Sequence, residues 1–193
     1  MHPRMIVVAG PPGSGKSSLY PLSAFNVAYF NADDRAAELN GGSYISISSK
    51  IRTIVNTEFE AFIRESIEHR ASFAIETTLR SKVTLEQARL AKQAGFATEM
   101  RYLALRDFRM HLERVKARSD AGGHSASEAT LRRIYDASLV NLGHAVQQFD
   151  VVWIYDNTDI DASHPLVFEA RKGEICFLVD DPPVWLKKAL DIS

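Results

Sequence analysis

The octapeptide Gly10-Pro11-Pro12-Gly13-Ser14-Gly15-Lys16-Ser17 follows directly on the apolar run Met5-Ile6-Val7-Val8-Ala9. It fits G-x-x-x-x-G-K-[ST], the phosphate-binding loop, in the strand–loop–helix setting that the motif's mechanism requires. Glycines at this spacing let successive backbone N–H groups turn inward around anionic oxygens, and the next helix N-terminus adds its dipole. Lys16 then reaches the β- and γ-phosphates and Ser17 offers its hydroxyl to Mg2+. Gly10 through Ser18 are the candidate nucleotide contacts, with ATP and Mg2+ the implied ligands. A chain that begins strand, phosphate loop, helix is committed to an α/β fold.

The chain has 193 residues, of which 46% are hydrophobic, enough for one full α/β core and short for two. We therefore expect one domain over 1–193. Short apolar strands alternate with longer helical patterns, which predicts a three-layer, mostly parallel sheet with helices on both faces. The expected strands are Met5–Ala9, Val27–Asn31, Ser72–Glu76, Thr98–Leu105 and Asp150–Tyr155. Expected helices follow the phosphate loop and cover Ser48–His69, Ser81–Gln93, Asp107–Arg118 and Ser127–Gln148. The clearest is Ser48–His69, where Ile51, Ile54, Val55, Phe59, Phe62, Ile63 and Ile67 recur at the helical period. Leu166–Arg171 and Glu174–Val179 around Lys172-Gly173 read as a β-hairpin, and Pro182-Pro183 starts a short terminal helix.

A net charge of −1 provides no basic field for a nucleic-acid backbone. No apolar run approaches membrane-spanning length, and the first strand begins too early to leave room for a signal peptide, so a cytoplasmic protein is expected. The single cysteine, Cys176, lies in the apolar run Ile175-Cys176-Phe177-Leu178-Val179 and reads as a buried small hydrophobe. His124 has no second histidine or cysteine at ligand spacing.

In an open parallel sheet, ligands gather at the carboxyl ends of the strands. The second strand, expected beside the first, ends in Asn31-Ala32-Asp33-Asp34. A carboxylate there can accept the proton of an attacking hydroxyl. Asp33 is the candidate base; the structural alternative is a helix cap. The third strand ends in Glu76-Thr77-Thr78-Leu79-Arg80. Glu76 stands where a metal-facing carboxylate or a grip on substrate hydroxyls would sit, with Thr77, Thr78 and Arg80 beside it. Phosphoryl transfer also needs positive charge on the far side. Arg114 and Arg118 precede the glycine-bearing break Ser119–Ser125, and Arg132 and Arg133 follow it, which suggests a lid over about 114–133. Arg118 is the first candidate to stabilise the transferring group, Arg133 or Arg132 the second. After the fifth strand, Asn157 is the candidate contact to the base.

Taken together, Gly10–Ser17, Asn31-Ala32-Asp33, Ile75–Arg80, Arg114-Val115…Arg118…Gly122-Gly123-His124, Ser138-Leu139…Asn141-Leu142 and Tyr155–Thr158 resemble the zeta toxin family of small phosphate-loop kinases. The resemblance runs from about Met5 to Thr158. It implies ATP-dependent phosphorylation of a hydroxyl on a UDP-amino sugar, UDP-N-acetylglucosamine in the toxins. It also implies Lys16 and Ser17 as phosphate and Mg2+ contacts, Asp33 as base, Glu76 and Thr78 in substrate positioning, and arginines of the 118–133 region on the phosphoryl group. An antitoxin protein is the candidate partner. Other enzymes on the same core are a small-metabolite kinase and a nucleic-acid-end kinase. Against a nucleotide switch, the sequence has no N-K-x-D motif and no D-x-x-G after a strand. The L-S-G-G-Q signature of transporter ATPases is absent too.

Overall fold

The computed structural model describes residues 2–120, 126–159 and 166–192. Its centre is β1 (Arg4–Ala9), whose residues Met5–Ala9 are fully buried because strands flank both edges and helices cover both faces. Among the described residues the sheet has seven strands: β2 (Ala28–Phe30), β3 (Phe73–Thr77), β1, β4 (Ala97–Ala104), β5 (Val151–Asp156), β6 (Leu166–Arg171) and β7 (Glu174–Leu178), in that spatial order. The first five are mutually parallel, and β6 and β7 join antiparallel as the expected hairpin. The α/β, mostly parallel expectation holds. One adjacency differs: β2 does not neighbour β1, because β3 lies between them. Parallelism nonetheless brings the carboxyl ends of β1 to β5 to one edge of the sheet, where a ligand cleft forms.

The larger apolar cluster lies on the face covered by α3 (Ser49–Glu68), α4 (Val83–Gln93), α6 (Glu128–Gln148) and α7 (Val184–Leu190). Periodicity made α3 legible, and the Ser48 hydroxyl caps it by accepting from the Ile51 N–H at 3.3 Å. Ser127 caps α6 in the same way through the Thr130 N–H. A run of aromatic contacts, Phe30–Phe62–Phe73–Phe96, ties the edge strand β2 to the core.

The opposite face carries a smaller cluster: Ile6, Val8, Leu22, Ala74 and Leu103. It is covered by α1 (Lys16–Leu19) and a 3-10 turn at Leu22–Phe25. The helix after the phosphate loop is thus a single turn. Pro21 lacks the N–H that would continue it and forces Tyr20 out of helical geometry. So short a helix has a weak macrodipole, and the loop's own N–H groups must do most of the anion binding.

Cys176 is exposed, contrary to expectation. Strand β7 lies at the sheet edge with only β6 as neighbour, so an apolar run there stays open to solvent.

Leu79 is fully buried with φ +56°, left-handed backbone that leucine rarely adopts. The Asn141 side-chain amide of α6 holds it, donating to the Leu79 carbonyl at 2.9 Å. Removing that donor strands a buried carbonyl and loosens the turn that follows Glu76-Thr77-Thr78. Asn141→Ala is expected to lose about 1–3 kcal/mol of stability in urea denaturation; an unchanged midpoint would show that the bond is dispensable.

Candidate functional site: a phosphate cradle flanked by two strand-end carboxylates

The Lys16 ammonium is buried and folded back on its own loop. It donates to the Gly10 carbonyl at 2.9 Å and to the Pro11 carbonyl at 3.3 Å, and stands 3.8 Å from Glu76 Oε1. Burial pulls its pKa below the ordinary ammonium value, with Glu76 and Asp33 opposing the change and Arg118 adding to it. Lys16 therefore lies within the electrostatic reach of three residues singled out from the sequence. The other Glu76 oxygen accepts from the Ser17 hydroxyl at 2.8 Å. Glu76 thus bridges the two side chains that a phosphate loop uses, and it does so from the strand beside β1.

Hydroxyl and carboxylate oxygens are the hard donors that Mg2+ takes, so Ser17 and Glu76 are the pair that would hold it. The loop has the character of a cradle. A Cβ on Gly10 would run into the Leu103 carbonyl, and one on Gly15 into the Asn157 amide. The fully buried Ser14 hydroxyl has no hydrogen-bond partner among the described residues. Both features fit a nucleotide that brings its own oxygens.

Asp33 and Asp34 sit exposed in the first turn of α2 (Ala32–Leu39). Neither is the cap. The Asn31 side chain caps α2, accepting from the Asp33 and Asp34 N–H groups at 3.0 and 3.3 Å. Both carboxylates are therefore free of the capping role, and Asp34 accepts from the Tyr44 hydroxyl at 2.8 Å. Arg35 fixes the helix by a two-pronged bond to Glu58 of α3 at 2.7 and 3.0 Å.

Thr77 turns inward to its own loop, where its hydroxyl accepts from the Leu79 N–H at 3.1 Å. Thr78 is half-buried and Arg80 exposed. Ser18 is exposed beside Ser17. The arginines separate clearly. Arg118 is exposed on α5 (Phe108–Asp120) and acts on Lys16 and Tyr44. Arg132 is engaged elsewhere, bonded to Asp136 at 3.2 Å and lying over the Phe108 ring. Arg133 is exposed on α6. The Gly122-Gly123-His124 part of the expected lid lies outside the described residues.

Asn157, the candidate base contact, is held against the phosphate loop. Its side-chain amide is buried and donates to the Ser14 carbonyl at 2.8 Å. Its own carbonyl accepts from Arg114 at 2.9 Å. The sequence reading missed His111 entirely. That ring is buried in α5, bonded through Nδ1 to the Pro12 carbonyl at 2.9 Å and through Nε2 to the Leu105 N–H at 3.0 Å. A carbonyl accepts and an N–H donates, so Nδ1 carries the proton and Nε2 is bare. The spacing held a clue: 111, 114 and 118 are i, i+3 and i+7, one helix face.

The sequence matches AAA_33, an AAA domain family, over residues 5–138. The chain belongs to the AAA_33 family. The AAA_33 match takes in the phosphate loop, Asp33, Glu76, His111 and Arg118, and stops short of Asn157. An uncharacterised protein of Haemophilus influenzae is 26% identical over 138 residues, which are 70% of this chain and 94% of that one. Among solved structures, the PezAT chromosomal toxin-antitoxin system of Streptococcus pneumoniae aligns with a TM-score of 0.65 at 15% identity, over 87% of this chain and 72% of that chain. A putative kinase from Chloroflexus aurantiacus aligns at 0.55 and 18% identity, over 70% and 79%. The AvrRxo1-ORF1:-ORF2 complex with ATP aligns at 0.69 and 15% identity, over 90% of this chain and 60% of that chain. This AAA_33 domain thus has a phosphate-loop kinase-like fold. Among the described residues, no helix is long and apolar enough to cross a membrane.

Burial lowers the His111 pKa to about 4. The unfolded chain takes up this proton near pH 6.5 and the folded chain resists it, so the unfolded state binds more protons between the two values. The stability that His111 contributes is complete above about pH 6.5 and is lost as pH falls toward 4. Urea unfolding of wild type and His111→Phe should show a stability gap that shrinks by about 3 kcal/mol from pH 7 to pH 4. A pH-independent gap would contradict a neutral buried imidazole.

Proposed function

We propose that the protein is an ATP-dependent phosphotransferase of the zeta toxin type, whose acceptor is a hydroxyl of a UDP-amino sugar such as UDP-N-acetylglucosamine. The observation that carries the reading is the electrostatic convergence on Lys16 of Glu76 from the end of β3, Asp33 from the first turn of α2 and Arg118 from α5. A bare nucleotide-binding module has no need of the last two.

In this reading Gly10–Ser18 hold the triphosphate, and Lys16 exchanges its carbonyl partners for phosphate oxygens. Ser17 and Glu76 hold the Mg2+ that accompanies ATP, whose chemistry is to neutralise charge on the β- and γ-phosphates. Asp33 takes the proton from the acceptor hydroxyl as its oxygen bonds to the γ-phosphorus. The bond to the bridging oxygen breaks, and ADP leaves with that electron pair. Arg118 faces the charge that develops on the equatorial oxygens. Thr78 and Arg80 follow Glu76 at the acceptor side, and Asp34, beside Asp33, is held by the Tyr44 hydroxyl. Arg133, exposed on α6, is the second candidate arginine. The expected single domain over 1–193 and an antitoxin partner belong to the same proposal, the latter supported by the PezAT likeness.

A small-metabolite or nucleic-acid-end acceptor would use the same donor half, and the charge of −1 weighs against the latter. Incubation with γ-labelled ATP, separately with UDP-sugars, small hydroxyl metabolites and nucleic-acid ends, decides between them. Label in UDP-N-acetylglucosamine is expected; label only in free phosphate overturns the kinase reading. Asp33→Asn should lower transfer at least a hundredfold while ATP affinity stays within about threefold, since it removes the proton acceptor and leaves the cradle. Near-wild-type turnover in that variant rules Asp33 out as base.

A further inference from the structure

A phosphate loop binds through N–H groups, so what matters is which way each peptide faces. The peptide unit is planar and trans, so a carbonyl and the N–H that follows it point in opposite directions. Two carbonyls of the loop accept from side chains outside it. The Pro12 carbonyl accepts from His111 Nδ1 at 2.9 Å, and the Ser14 carbonyl accepts from the Asn157 amide at 2.8 Å. The N–H groups that follow belong to Gly13 and Gly15, both in left-handed backbone at φ +78° and +88°. The N–H between them, on Ser14, is spent on the Pro11 carbonyl at 3.2 Å.

We propose that His111 and Asn157 are the positioning residues of the phosphate cradle: they draw the Pro12 and Ser14 carbonyls outward and so turn the Gly13 and Gly15 N–H groups in toward the oligophosphate. The inference rests on the nucleotide-binding part of the proposed function and not on the acceptor. Both clamps are hung from one place. His111 Nε2 accepts from the Leu105 N–H at 3.0 Å, and the Asn157 N–H donates to the Ala104 carbonyl at 2.8 Å. These two residues are consecutive at the end of β4, the strand beside β1, so the sheet itself sets the peptide orientation. Arg114, one turn along α5 from His111, closes the arrangement by donating to the Asn157 and Thr158 carbonyls at 2.9 and 3.0 Å. Burial keeps His111 neutral, the one state in which Nδ1 donates while Nε2 accepts.

The proposal gives Asn157 a phosphate-directed role in place of a base contact, and a ligand without a base separates the two. Mg2+-tripolyphosphate and MgATP are titrated calorimetrically into wild type, Asn157→Ala, His111→Phe and His111→Asn, with thermal melts alongside. Asn157→Ala and His111→Phe are expected to lose about tenfold or more in affinity, by the same factor for both ligands, as for a lost charge-assisted hydrogen bond. His111→Asn places an amide donor near the Nδ1 position and should recover most of that loss, whatever its melting temperature. Unchanged tripolyphosphate affinity with weakened ATP would return Asn157 to the base and overturn the proposal. Unchanged affinity for both ligands in folded variants would reduce both residues to packing. Failure of wild type to bind either ligand would sink the nucleotide reading itself. Wild type that binds both and transfers no phosphate sinks only the kinase reading.

Discussion

A buried ammonium is the constraint around which this molecule is arranged. Lys16 has left water, and an unpaired charge in such a place is costly. It is tolerated because two carbonyls of its own loop and the Glu76 carboxylate surround it. In the proposed function an incoming triphosphate offers the ammonium phosphate oxygens, which are stronger partners than backbone carbonyls. The same low-dielectric surroundings that make the bare charge expensive make its contact with a phosphate strong.

Everything else at the sheet edge serves that centre. Strand β3 lies between β1 and β2, which brings Glu76 against Ser17 and Lys16 and leaves Asp33 further out, at the mouth. The order of the strands thus separates the two carboxylates: Glu76 lies against Lys16 and Ser17, and Asp33 is exposed in the first turn of α2. Opposite them, α5 presents His111, Arg114 and Arg118 on one face. The first two reach the backbone of the phosphate loop and of the segment after β5, and the third meets the cleft. Hydrogen bonds are concentrated around the phosphate loop, whereas the carboxylates Asp33 and Asp34 are exposed.

Local signals were the legible ones. Gly10–Ser17 could be read because each glycine does its work within the octapeptide, and α3 because its apolar stripe and Ser48 cap are both written in consecutive turns. Strand order was not legible. Nothing in Val27–Asn31 says that another strand, more than forty residues later, will come between it and β1. Cys176 was misread for the same reason: an apolar run looks alike at the centre of a sheet and at its edge. The bond from the Asn157 amide to the Ser14 carbonyl was not legible either, since the two lie 143 positions apart. His111 carried no local pattern beyond sharing a helix face with two arginines that were noticed. Such contacts between distant residues decide how the site works, and only the fold brings them together.

What Lys16 binds decides whether Gly10–Ser17 is a triphosphate cradle. Calorimetric titration of MgATP into wild type and Lys16→Ala, both checked for folding, tests this most directly. A loss of at least tenfold in affinity, together with loss of phosphate transfer, is the predicted result. Undiminished affinity in the folded variant would contradict the assignment of Gly10–Ser17 as a triphosphate cradle.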